Sequence, residues 1–279
     1  MAAFGLRKNT VEINQKETVI GEQIDTLVVS TSSADVEVET GAGEDIIILL
    51  TGEISEKLAE DYEFKVSQRG NSLDISFNKK KKDVGLQFKA SYSDVKLQIT
   101  LPEKTYNDLQ IRTSSGEIIL SKLVSKTVTS SSSSGSQLIS DLSVSNKLFI
   151  KSSSGDIVVK GNNAGNAKLV ASSGSIKSKE LVSNEAIMET SSGDIVYNSY
   201  AINGNLDFKA SSGNVDIQFD QVPETLSLEC RANSGDVNVR IDDLEIKEKN
   251  DHNVVATLGL GKNNIKARTS SGDITIYTL

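Results

Sequence analysis

From about Leu109 onward, hydrophobic residues fall at every second position in short paired runs, and the pairs return about every nineteen residues. Aligning the chain on a recurring glycine brings the rows into view. Seven residues before it stand Leu109, Val128, Leu148, Ala167, Ala186, Leu206, Leu228 and Ile265. Five before stand Ile111, Ser130, Ile150, Leu169, Met188, Phe208, Cys230 and Ala267. Three before are only small residues, from Thr113 and Ser132 to Thr269. Two after come Ile118, Ile157, Ile176, Ile195, Val215, Val237 and Ile274, and four after Leu120, Val159, Ser178, Tyr197, Ile217, Val239 and Ile276. Spacing of two marks a strand with one buried face. Each unit therefore predicts a strand, a tight turn, a second strand and a looser turn such as 161–166.

The tight turn reads Ser-Ser-Gly-Asp-Ile in its commonest form, as at Ser153-Ser154-Gly155-Asp156-Ile157, with a looser copy at Ser133-Ser134-Gly135-Ser136-Gln137. Its glycines stand at 116, 135, 155, 174, 193, 213, 235 and 272, giving steps of 19, 20, 19, 19, 20, 22 and 37. A fixed period in this range signals stacked repeats. Two strands and two turns leave no room for a crossover helix. The expected fold is all-β: a β-solenoid, or β-helix-like stack, of 19–20-residue two-strand coils, with equivalent strands ~4.8 Å apart. A meandering sandwich would instead give antiparallel hairpins of variable length, which the near-constant period argues against. The final step of 37 reads as two periods, one of whose coils has lost its turn. Glycine supplies either a positive φ or close backbone packing at the turn, and the serines bond locally to its backbone.

Residues 1–100 carry the period faintly. Ser32-Ser33-Ala34-Asp35-Val36 and Ser91-Tyr92-Ser93-Asp94-Val95 read as degenerate turns without the glycine. Asp45 to Leu50 is a buried strand, and Arg69-Gly70-Asn71 is the turn of a hairpin. Terminal coils must cover an open end. The expectation is one elongated domain, with residues 1–100 as an N-terminal capping section and 101–279 as the regular solenoid.

The phrases Ile99-Thr100-Leu101-Pro102 leading into Leu109–Gly116, and Gly259-Leu260-Gly261 before Ile265–Ile276, resemble the bacterial DUF4097 repeat domain with its adhesin label. The resemblance spans roughly Val28 to Leu279. It implies a β-solenoid-like fold, no known catalytic activity, no binding residues to carry over, and ties among some relatives to envelope stress responses in Gram-positive bacteria.

Composition adds limits. Charged residues are 24% and hydrophobic ones 37%, as in a folded soluble chain. Prolines occur only at 102 and 223, consistent with a chain that is mostly central strand. A net charge of −8 opposes nucleic-acid binding. With no apolar run of membrane-spanning length and no apolar leader in the first residues, neither a transmembrane segment nor a signal peptide is expected. Location is expected to be cytoplasmic, with envelope association as the alternative.

Chemistry-bearing residues are few. His252 is the only histidine and Cys230 the only cysteine, so common zinc sites and an internal disulfide are excluded. Cys230 falls on a core row and reads as a buried hydrophobe. The turn acids run Asp156, Ser175, Asp194, Asn214, Asp236, which places carboxylates on alternate coils ~9.6 Å apart, too far to share one Ca²⁺. Gly259-Leu260-Gly261-Lys262 lacks the spacing and the Ser or Thr of a phosphate loop, and Leu101-Pro102-Glu103-Lys104-Thr105 departs from a sortase signal. No catalytic, cofactor or metal residue is expected. Lys79, Lys80, Lys81 and Lys82, the one concentrated basic run, and His252 are the candidate interaction surface.

The expected function is a non-enzymatic interaction scaffold, adhesin-like or tied to envelope stress, whose partner is a protein or an envelope component. A polysaccharide-acting enzyme is the first alternative, using outward charges such as Lys177 and Asp216. The second is a scaffold that self-associates end to end through Asp273–Leu279, the strand on which the chain stops.

Overall fold

The structure, a computed structural model, describes residues 10–80, 93–202 and 204–279. Among the described residues, strands preceding the Ser-Ser-Gly turn lie side by side in a 13-stranded sheet, and those following it in a 12-stranded sheet. Through the repeat the pairing is parallel and in register. Leu109 lies opposite Val128, Val128 opposite Leu148, Leu148 opposite Ala167, and Ala167 opposite Ala186. Coils are named here by the residue at the glycine position of their turn.

The rows predicted from the alternation form the core. The residues seven, five and three before the turn glycine are all buried, and so are those two after it. The looser coil keeps this geometry with polar groups. Gln137, in the row of isoleucines, is buried and receives a hydrogen bond from Ser130 (2.5 Å) while donating to Ser132 (3.0 Å) and to the carbonyl of Lys151 (2.6 Å). Every group of that amide is paired, which is what allows it to be buried at all.

The two kinds of corner use opposite backbone devices. At the Ser-Ser-Gly corner the requirement is close approach: a Cβ on Gly155 would sit 2.2 Å from the carbonyl oxygen of Gly135. At the other corner Lys122, Asp141, Gly161 and Glu180 all take φ between 53° and 63°, the left-handed region, though only one of them is glycine.

Chain order and coil order differ at the C-terminal end. The coil of Gly272 is inserted between those of Gly213 and Gly235: Val215 pairs with Ile274, and Ile274 with Val237. The 37-residue step is therefore not two periods with a lost turn. From Gly235 the chain forms an antiparallel hairpin, Glu245–Asn250 with Asn253–Leu258, which covers the outer edge of Leu226–Ala232, and then returns to fill the slot inside. The strand Ile274–Thr278, expected as a free end, is paired on both sides. The 22-residue step before Gly235 has the same cause, since the chain climbs two rungs there and needs extra length.

The N-terminal end is built alike. Thr26–Thr31 and Asp35–Gly41 form the coil of Ala34, held between the Gly116 coil and an outer coil of Ser72–Lys79 and Ser93–Pro102. Beyond that coil the pairing turns antiparallel: Tyr62–Arg69 on one sheet, Asp45–Ser55 and then Thr10–Ile20 on the other. The hairpin expected around 69–71 and the strand from Asp45 are both present, whereas Tyr92 and the turn predicted around it lie outside the described residues.

Candidate functional site

The acidic turn positions form a ladder of side chain to backbone bonds. Asp156 Oδ1 accepts from Ser175 N (2.8 Å), Ser175 Oγ from Asp194 N (3.2 Å), and Asp194 Oδ1 from Asn214 N (2.8 Å). Asn214 Oδ1 accepts from Asp273 N (2.9 Å), and Asp273 Oδ1 from Asp236 N (2.9 Å). The inserted coil corrects the expected alternation, because Asp273 and Asp236 stand on neighbouring rungs. Among the described residues no group of three or more His, Cys, Asp or Glu converges as a metal site.

The outward charges divide between two sheet faces. Lys177 and Asp216 share a row but are separated by Val196 on the rung between, ~9.6 Å at strand spacing. Burial is the main cause that raises the carboxyl pKa of Asp216, followed by the charges of Asp194 and Asp273. Other charges are paired across rungs, as with Lys168 and Glu189 (3.1 Å) and Arg268 and Glu229 (3.8 Å). Cys230 is fully buried, and burial pushes its thiol up to about 12. Tyr197, packed against Phe208 and Phe219, donates to the carbonyl of Leu181 (3.1 Å) and is likewise pushed up to about 12 by burial.

Of the predicted interaction residues, Lys79 and Lys80 sit at one end of the stack and His252 at the other, and these do not converge. Lys79 Nζ lies 5.8 Å from the centre of the Tyr62 ring, and Lys80 Nζ donates to the carbonyl of Glu60 (2.9 Å), both at the N-terminal end. Lys81 and Lys82 lie outside the described residues. His252, in the turn of the C-terminal hairpin, places Nδ1 2.6 Å from the carbonyl oxygen of Gly235.

A concavity lies elsewhere, at the start of the longer strand of successive coils. There the chain bends, and the parallel ladder lapses for one row. Ser145 and Asn146 stand where the next coil has only Gly165, and pairing resumes at Lys147 with Asn166. In the following pair Ala164 faces Ser183 and Asn166 faces Glu185, with Gly165 and Asn184 outside the ladder. Beside this bend lies an open groove of about 500 Å³, lined by residues of five successive coils. Its length is ~19 Å, four steps at strand spacing.

One side of the groove carries Ser143, Asn163 and Val182, and the other Ser145, Gly165, Asn184 and Gly204, with Asn263 from the inserted coil at the end. Beneath run Val144, Ala164 and Ser183, all buried. The Ser183 hydroxyl has no hydrogen-bond partner among the described residues. A Cβ at Gly204 would meet the carbonyl oxygens of Asn184 at 2.3 Å and Ser183 at 2.4 Å, so the backbones of successive coils touch at this bend. No lining residue is charged. Sequence reasoning misses this row because its residues vary; the one signal is the pair of small-residue breaks at Asn163-Ala164-Gly165 and Asn203-Gly204.

The family model of Toastrack DUF4097 matches residues 24–277. Among solved structures, a "putative lipid binding protein" of Parabacteroides distasonis is 18% identical, with a TM-score of 0.54 over 94% of this chain and 96% of that one. A "putative adhesin" of Bacteroides fragilis is 15% identical, with a TM-score of 0.51 over 96% and 97%. At these identities the likeness is one of fold. No match to a curated protein was found. No helix among the described residues is long and apolar enough to cross a membrane.

Proposed function

The chain belongs to the Toastrack DUF4097 family, and on that premise we propose that it is a non-enzymatic binding scaffold, adhesin-like or associated with the cell envelope. One observation carries this reading: the coils of Gly155, Gly174 and Gly193 repeat the same bend on successive rungs, and the groove beside it is lined by uncharged positions alone. Such a surface suits an elongated partner held by many weak contacts. The rigidity of the two sheets lowers the ordering cost of that contact. The Bacteroides fragilis protein of like fold, described as a "putative adhesin", is in keeping with this.

Retention of the purified chain on isolated envelope material tests the proposal. Saturable binding, lost on heat unfolding, is expected. Absence of saturable binding to envelope material or to any envelope protein overturns it.

A further inference from the structure

We propose that the groove along Ser143, Asn163 and Val182 binds an uncharged, hydroxyl-rich chain: a short run of sugar units of a neutral glycan. The proposal rests on the binding-scaffold reading and adds the ligand's chemical class. In a chain with 24% charged residues, none lines the groove, so a charged ligand would be desolvated there without a counter-charge.

The polar groups present are amides and hydroxyls, which both donate and accept. Sugar hydroxyls do the same. Asn163 and Asn184 present this capacity on neighbouring coils, Asn263, whose Nδ2 also donates to the carbonyl of Thr225 (3.4 Å), stands at the end, and the Ser183 hydroxyl lies beneath with no partner among the described residues. The rung spacing of ~4.8 Å is comparable to the advance of one pyranose along an extended chain, so successive units meet successive coils. Val182, 40% exposed, offers a small aliphatic surface for the C–H faces of the rings.

An extended peptide is the competing ligand. Peptides gain affinity on sheets by adding a strand to a free edge. The groove runs across the interior rungs, whose strands are already paired on both sides, so no edge is available.

The test titrates isotope-labelled full-length protein with cellohexaose and chitohexaose, with an oligogalacturonate of equal length as the charged control. Saturable amide shifts confined to residues 143–145, 163–165 and 182–184 are expected with a neutral hexamer, and none with the acidic one. Asn184→Ala should weaken binding about fivefold, the effect of one lost hydrogen bond. Val182→Glu, at an exposed position, should abolish binding with an unchanged Tm. No shift with either neutral hexamer, shifts centred elsewhere, or equal binding of oligogalacturonate overturns the proposal. Envelope retention that Val182→Glu leaves intact removes the groove but spares the scaffold reading, whereas a wild-type chain that shows no envelope retention removes both.

Discussion

His252 closes the ladder of Ser-Ser-Gly turns by placing Nδ1 2.6 Å from the carbonyl oxygen of Gly235. A carbonyl only accepts, so the ring donates. Gly235 belongs to the outermost regular coil, and no further turn stacks on its carbonyl; the histidine takes the place of one. The same hairpin turn accepts from Ala232 N through the carbonyl of His252 (2.9 Å) and from Val237 N through that of Asp251 (2.8 Å). The only histidine is thus placed as a cap.

His252→Ala should cost about 1 kcal/mol, the net worth of one partly exposed hydrogen bond. That corresponds to a fall in Tm of about 2–4 °C. Amide exchange at Ala232 and Val237 should accelerate, while exchange at Ile150 and Leu169, far along the stack, stays unchanged. A variant that lost binding to envelope material with no change in exchange would show that the ring serves recognition instead.

The two corners of the coil answer in opposite directions to glycine. Gly155→Ala forces a Cβ to 2.2 Å from the backbone oxygen of Gly135, contact that only a backbone shift can relieve. Overpacking of this kind costs roughly 1–3 kcal/mol or more. Lys122→Gly removes a side chain from a left-handed residue (φ 56°) and should stabilise the fold by about 1 kcal/mol. Thermal melts of the two single variants check both signs.

The alternation and the turn period made the core rows legible because each row repeats one residue type under one constraint. Thr113, Ser132 and Ala171 are small for the same reason, and Ile157, Ile176 and Ile195 are apolar for the same reason. Coil order was not legible. It depends on which slot a returning strand fills, and Ile265 has the same apolar character whether it lies beyond Leu228 or between Leu206 and Leu228. The extra residues between Gly213 and Gly235 were the visible trace of that choice. The groove was hidden for a different reason: Ser145, Gly165, Asn184 and Gly204 share a backbone bend and no side-chain type.

Two carboxylates should shift stability with pH in opposite senses. Burial, then the charges of Asp194 and Asp273, raise the pKa of Asp216 in the folded state. Its charge therefore costs stability, and the cost is absent below the ordinary carboxylate range, grows as pH rises through it, and is full above the raised value. Asp216→Asn should raise Tm near neutrality and leave it unchanged in acid.

Glu37 is the converse. A hydrogen bond from Lys96 lowers its pKa most, with Gln98 Nε2 adding another at 3.1 Å, against some desolvation. Its contribution is full above the ordinary carboxylate range and is lost as pH falls through the lowered value. Glu37→Gln should lower Tm at neutral pH only. Parallel Tm profiles in pH for the two variants, crossing the wild type in the same direction, would contradict these assignments.

Deleting Ile274–Leu279 should dismantle the C-terminal coils. The deleted strand is interior, paired with Val215–Phe219 on one side and Val237–Arg240 on the other, and it buries Ile274 and Ile276 completely. Each such side chain contributes about 1.5–3 kcal/mol by burial alone. Its loss also leaves two facing strand edges unpaired, and such edges recruit other chains. Cys230 reports the outcome directly. In the intact protein its thiol is fully buried between Ala267 and Val254 and its pKa is pushed up to about 12, so Ellman's reagent should react only as fast as the coil opens. In the truncated chain the reaction should become fast and the protein should sediment as aggregates. A truncated chain that stayed monomeric with a protected thiol would mean that the Gly235 coil holds without the inserted strand.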